Sequence, residues 1–115
     1  MHSRINSIIS EPLSAVSFVQ DYVEFHFDGK IVRSLTNPLV RVLDKTCKFP
    51  EVGSRDCFCS LIGQTVESVI VEDEDRIELI FTLGARLIIS LAESERIGPE
   101  AAHFVPGDNQ PIEVW

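Results

Sequence analysis

Residues 22–35 read Tyr22-Val23-Glu24-Phe25-His26-Phe27-Asp28-Gly29-Lys30-Ile31-Val32-Arg33-Ser34-Leu35, and this stretch decides the fold. Val23, Phe25 and Phe27 alternate with Tyr22, Glu24 and His26. A period of two puts the first set on one face of an extended chain and the second on the other, as in a half-buried strand. Asp28-Gly29 then supplies a tight hairpin turn, because glycine accepts the positive φ such turns need. The chain returns through Ile31-Val32-Arg33-Ser34-Leu35, with Ile31, Arg33 and Leu35 sharing a face. Asn37-Pro38 ends this strand, since proline has no N–H to give to a ladder.

A matching pattern follows downstream. Ile77, Leu79 and Phe81 alternate with Arg76, Glu78 and Ile80; Thr82-Leu83-Gly84 turns; Arg86-Leu87-Ile88-Ile89-Ser90-Leu91 returns. Val23-Glu24-Phe25-His26-Phe27 can be laid on Ile77-Glu78-Leu79-Ile80-Phe81, and Gly29 on Gly84. A preceding strand fits in each half, at Ala15–Val19 and at Val66–Val71. The expectation is a pseudo-repeat of two three-strand meanders, at about residues 14–63 and 65–105. Two copies are too few for a solenoid.

Between the copies, Ser54-Arg55-Asp56-Cys57-Phe58-Cys59-Ser60-Leu61-Ile62-Gly63 reads as a short helix. Ser54 is its expected N-cap, Asp56 complements the dipole in its first turn, and Gly63 closes it. After the second copy, Gly98-Pro99-Glu100-Ala101-Ala102-His103-Phe104 reads as one or two helical turns, with Pro99 at the first position. Leu43 to Gly53 reads as a loop, and Pro111-Ile112-Glu113-Val114-Trp115 as an edge strand. The fold class expected is α+β and mostly antiparallel β, with a short helix after each meander. Its strands form a sheet, a sandwich or a partly closed barrel.

The 115 residues are read as one domain, 1–115. A hydrophobic fraction of 44% with 24% charged residues excludes a disordered tail or a low-complexity linker. No apolar run approaches the ~18 residues of a membrane span. The first residues lack the apolar core of a signal peptide, so a cytoplasmic location is expected. Cys47, Cys57 and Cys59 are an odd set, which argues for free thiols, and Cys57-Phe58-Cys59 is not the spacing of a zinc or redox site.

The formal charge of −8 is unevenly placed: residues 1–49 carry +1 and residues 50–115 carry −9. Such a field repels phosphate backbones, which disfavours nucleic acid, and attracts a basic protein. Glu72-Asp73-Glu74-Asp75 is the densest acidic cluster. It lacks the central glycine and the spaced ligands of a calcium loop, so no metal is expected there. His2, His26 and His103 are the titratable imidazoles, and Glu100 lies one helical turn before His103 in the expected helix. No Gly-x-Ser-x-Gly, Ser-x-x-Lys or His-Glu-x-x-His motif accompanies them, so no catalytic residue is assigned. The glycines are isolated, which leaves no phosphate loop and no cofactor. Ile80 and Ile88 make the second hairpin apolar on both faces. That needs a cover on each face, and a homodimer would supply one.

Arg55-Asp56 followed by Leu61-Ile62-Gly63, then Leu87-Ile88-Ile89-Ser90-Leu91, then Gly98-Pro99-Glu100-Ala101-Ala102 and Trp115, resembles a set of small uncharacterised bacterial proteins. The likeness covers about residues 16–115. It implies a bacterial origin and brings no activity with it. Some such acidic proteins look like immunity proteins that neutralise a basic toxin, an analogy of size and charge. Two function classes follow. The first is a non-enzymatic protein-interaction domain that uses Glu72, Asp73, Glu74 and Asp75. The alternative is a small ligand-binding domain or enzyme, with Arg55, Asp56, Glu100 and His103 gathered at the two helix starts.

Overall fold

A computed structural model describes residues 3–115; His2 lies outside them. Ten strands and one helix run in the order β1 (Ala15–Val19), β2 (Tyr22–Phe27), β3 (Lys30–Ser34), β4 (Leu39–Val42), β5 (Lys45–Lys48), α1 (Ser54–Cys59), β6 (Val66–Glu72), β7 (Arg76–Phe81), β8 (Arg86–Ser90), β9 (Ala102–Val105) and β10 (Glu113–Val114). Two 3-10 turns, Ile5–Ile8 and Glu93–Glu95, complete the set. The fold is a small α+β arrangement, mostly antiparallel.

The strands form two five-stranded sheets, neither closed on itself. Sheet one runs β1-β2-β3-β9-β10 and sheet two runs β5-β4-β8-β7-β6. The β2–β3 hairpin forms where the alternation requires it. Phe27 pairs with Lys30 across Asp28 and Gly29, whose φ angles of 47° and 86° are both positive, as the tightest hairpin turn demands. The β7–β8 hairpin turns through Gly84, with a φ of 93°. In both hairpins the alternate apolar residues point inward: Val23, Phe25 and Phe27 in one, Ile77, Leu79 and Phe81 in the other, all with no more than a trace of exposure.

These inward residues meet in one core, joined by Val32 and Phe104 from sheet one and Val40, Leu87 and Ile89 from sheet two. Phe58 of α1 enters the same core, with its ring 5.9 Å from that of Phe25 and 6.4 Å from that of Phe18. Burying a side chain of this size contributes about 1.5–3 kcal/mol. Packing therefore holds this six-residue helix, which is too short to stand by its own propensity.

Four expectations are corrected. Residues 98–104 are not helical: Gly98 to Ala101 is irregular, and Ala102–Val105 is the strand β9, whose register sets Ser34 against Ala102 and Ile31 against Val105. Two turns of helix would nucleate poorly, whereas an extended segment satisfies the open side of β3. A helix therefore follows neither meander directly; α1 comes only after β4 and β5. The loop expected at Leu43–Gly53 contains β5, which pairs with β4 across Leu43 and Asp44. Ser54 is the first helical residue rather than the cap. Gly53 holds the cap position with a φ of 85°, and the Ser54 hydroxyl is buried with no hydrogen-bond partner.

The fourth correction concerns the thiols. Cys47 and Cys57 are joined in a disulfide with Cα atoms 6.5 Å apart, and Cys59 is free and exposed. That separation lies within the ordinary span of such bonds. The ten-residue spacing hid the pairing, which arises because β5 and α1 pack side by side. No helix among the described residues is long and apolar enough to cross a membrane.

Candidate functional site

The predicted site residues fall into three places. The first is the outward face of sheet one. Strand alternation turns Glu24 and His26 of β2, Arg33 of β3 and His103 of β9 away from the core, and the register sets Glu24 opposite Arg33 and Arg33 opposite His103. A continuous polar chain results. Ser17 Oγ lies 3.1 Å from His26 Nε2, and His26 Nε2 lies 3.5 Å from Glu24. Arg33 Nε donates to Glu24 at 2.8 Å, and its second donor meets His103 Nδ1 at 2.9 Å. His103 Nε2 reaches Glu100 at 3.0 Å.

A guanidinium only donates, so His103 Nδ1 must accept and its Nε2–H must donate to Glu100. The guanidinium also lies 5.5 Å from the centre of the Tyr22 ring. Glu100 and His103 are thus brought together as expected, but by a strand and the bend before it rather than by a helix. Arg33 joins His103 to Glu24, a link that nothing local in the sequence marks. The available signal was the outward place of Arg33 on a hairpin, directly across from Glu24.

The second place is α1. Arg55 lies over two aromatic rings, 5.0 Å from Phe49 and 5.7 Å from Phe18. This fixes the guanidinium against the core rim. Asp56 lines a cleft of about 360 Å³ with Val42, Asp44, Lys45 and Ser60. Glu100 lines a different cleft, of about 300 Å³, with Asp21, Leu35 and Pro99. The structure therefore does not gather Arg55, Asp56, Glu100 and His103 around one cavity.

The third place is the β6–β7 turn. Glu72, Asp73, Glu74 and Asp75 are all exposed, and Glu74 takes a left-handed conformation with a φ of 66°. Arg76 binds three carboxylates, at 3.1 Å from Glu72, 2.6 Å from Asp75 and 2.9 Å from Glu78. The hydrogen bonds that it donates to Glu78 and Asp75 raise its pKa above the ordinary arginine value, outweighing its desolvation. Glu78 also binds Arg86 at 2.7 Å and is 4% exposed. Burial pushes its carboxyl up, but the hydrogen bonds and charges of Arg76 and Arg86 outweigh that and hold it below the ordinary range.

The Leu91 N–H donates to the Asp75 carbonyl at 2.8 Å, which draws the Glu93–Glu95 turn alongside this acidic loop. Glu74 and Glu93 consequently line one cleft of about 340 Å³ with Arg96, Leu91 and Ala92. Arg96 is occupied with the carbonyls of Leu91 and Pro99, and Glu95 pairs with Lys48 at 3.7 Å. Asp73, Glu74 and Glu93 have no ion-pair partner among the described residues. The sequence showed the acidic run; it did not show that Glu93 would join it. Among the described residues no three His, Cys, Asp or Glu side chains are placed to hold a metal ion.

Comparison of the chain with family models, curated proteins and solved structures returns no match.

Proposed function

We propose that this protein is a non-enzymatic interaction domain that engages a basic partner protein through its acidic C-terminal half, in the manner of an immunity protein. The observation that carries this reading is the acidic corner. Two segments apart in sequence, 72–75 and 93–95, are drawn together by the Leu91–Asp75 hydrogen bond, so that Glu74 and Glu93, which form no ion pair among the described residues, share one cleft in which Arg96 is turned to backbone carbonyls. Like charges gathered in this way cost stability unless a cation answers them, and they raise the encounter rate with one. The residues 50–115 that build the corner carry −9.

The reading is tested by titrating the protein with an acetylated tetra-arginine amide at low and at high salt. Exposed charge is screened over ~8 Å at physiological salt, so binding must weaken steeply as salt rises. Glu74→Gln with Glu93→Gln should weaken it further. Absence of binding at low salt, or an affinity indifferent to salt, overturns the proposal.

We also propose that the outward face of sheet two pairs with a second copy of the chain. Leu39, Ile70, Ile80 and Ile88 are half-buried there around Glu78, and the register sets Ile70, Glu78, Ile88 and Leu39 in one row. Light scattering should return twice the chain mass of 12.9 kDa; a strict monomer at high concentration sinks this contact. Finally, we read the two halves as copies of one unit. What supports this is that each meander is followed by a strand that crosses to pair with the last strand of the other meander, β4 on β8 and β9 on β3.

A further inference from the structure

On the other side of the acidic turn lies a second, roomier cleft. Its volume is about 560 Å³, and it is lined by Ser3, Val71, Asp73, Ile112, Glu113, Val114 and Trp115. It opens beside β6 and β10, an edge strand from each sheet. We propose that this cleft is the anchor pocket for one long cationic side chain, an arginine, carried by the basic partner. The inference rests on the interaction reading above and names the chemistry that its partner must present.

Three features of the cleft select that occupant. Its walls are apolar and aromatic: Val71 and Trp115 pack against the core, while Ile112 and Val114 stay 52% and 51% exposed. Such walls suit the methylene stem of a long side chain, and tryptophan is the aromatic that best receives a planar guanidinium. Its charge is negative. Asp73 makes no ion pair among the described residues, so its carboxylate is available.

Glu113 adds a second negative charge but is already held in place. Its two oxygens accept hydrogen bonds from Ser3 Oγ at 2.5 Å and from the Arg4 N–H at 2.8 Å. The nearby cation does not fill the cleft: the Arg4 guanidinium bonds to Gln110 and lines a separate cleft with Lys30 and Pro106.

The third feature is rigidity. The Trp115 N–H donates to the Ala102 carbonyl at 2.9 Å, and its own carbonyl accepts from Ala101 at 2.7 Å. The main chain that carries the aromatic wall is therefore tied to β9 before any partner arrives, and a backbone held in advance loses less entropy on binding. The acidic turn then has a divided role. Glu74 faces the cleft shared with Glu93, which attracts the partner, and Asp73 faces the cleft with Trp115, which fixes one of its side chains.

Trp115 is the single tryptophan of the chain, so its emission reports this cleft alone. The experiment titrates the full chain with the tetra-arginine amide and, in parallel, with an acetylated tetrapeptide amide of 2-amino-3-guanidinopropionate. The second probe keeps four guanidinium charges but lacks the long stem. The expected result is a saturable shift of Trp115 emission with tetra-arginine, and binding of the short-stemmed peptide about tenfold weaker. Trp115→Ala should reduce tetra-arginine affinity about tenfold, and Asp73→Asn about threefold. Asp73 is exposed and the short-stemmed peptide needs no variant, so the inference stays testable even if Trp115→Ala folds poorly. If both peptides bind equally, with salt-sensitive affinity, while Trp115 emission does not move and Asp73→Asn changes nothing, the anchor is overturned and the acidic corner stands. If neither peptide binds at low salt, both fall.

Discussion

Glu24 and Glu78 occupy matching positions in the two hairpins, yet their surroundings differ. Each projects outward from the middle strand of its meander, one residue after an inward Val23 or Ile77 and one before an inward Phe25 or Leu79. Glu24 has Arg33 directly across from it and His26 two residues along, and its side chain is 15% exposed. Glu78 lies between Ile70 and Ile88 on the neighbouring strands, receives Arg76 and Arg86, and has a side chain 6% exposed. The same alternation thus yields a wet polar chain on one sheet and a nearly dry ion triad on the other. What differs is whether the cross-strand neighbours are polar or apolar, because apolar neighbours remove the water that would otherwise weaken each charge pair.

The inward faces should not share this difference, which gives the largest effects. Phe25→Ala and Leu79→Ala each remove a fully buried side chain from the common core and should cost about 3–5 and about 2–5 kcal/mol in denaturant unfolding. A loss under about 1 kcal/mol at either site would mean that one sheet does not contribute to the core as described.

Next comes the outward carboxylate of sheet two. Glu78→Gln removes the negative charge and turns one of the two oxygens that accept from Arg76 and Arg86 into a donor, and should cost about 2 kcal/mol, less than a deeply buried triad because Arg86 is half exposed. Its pH signature has a definite sign. The folded carboxyl is held below the ordinary value of 4.5, so the unfolded chain takes up this proton at a higher pH than the folded one. The stability it supplies is complete above 4.5 and drains away as pH falls through the lower folded value. Glu78→Gln should therefore flatten the acid limb of stability against pH. An unchanged acid limb would show that the triad does not bind the carboxylate preferentially.

The two hairpins were legible because each carries period-two alternation and a turn glycine, at Gly29 and Gly84. The β4–β5 hairpin was not, because its turn is Leu43-Asp44, with Leu43 forced into the left-handed region at a φ of 56°; no residue there announces a turn. Val40 and Cys47, which point into the core, were the surviving signal. The segment of β9 reads as helix in the sequence because Gly98-Pro99-Glu100 carries helix-start chemistry, while the alternation of Ala102, His103, Phe104 and Val105 spans only four residues. Whether that segment coils or extends is settled by the vacant side of β3, a fact of tertiary structure. The same holds for the sites. The acidic run was visible, and so was the Glu100–His103 pair. That Arg33 links the pair to Glu24, that Glu93 and Glu74 line one cleft, and that Asp73 and Trp115 line another each depend on how residues far apart in the chain are brought together.

The smallest effect is the sharpest test of the comparison. Glu24→Gln takes the negative charge out of the 2.8 Å contact with Arg33, but the guanidinium keeps His103 and its place near Tyr22. The Arg33 side chain is 23% exposed and water answers the charge left behind, so the cost should be about 0.5 kcal/mol. The difference between Glu78→Gln and Glu24→Gln then measures what the flanking isoleucines add. Replacing Ile70 and Ile88 together by threonine keeps the strand geometry but admits water, and it should bring the Glu78→Gln cost down toward that of Glu24→Gln. Should the two glutamates cost the same in the parent protein, or should the threonine pair leave the gap unchanged, then geometry of the arginines rather than exclusion of water sets the strength of these pairs.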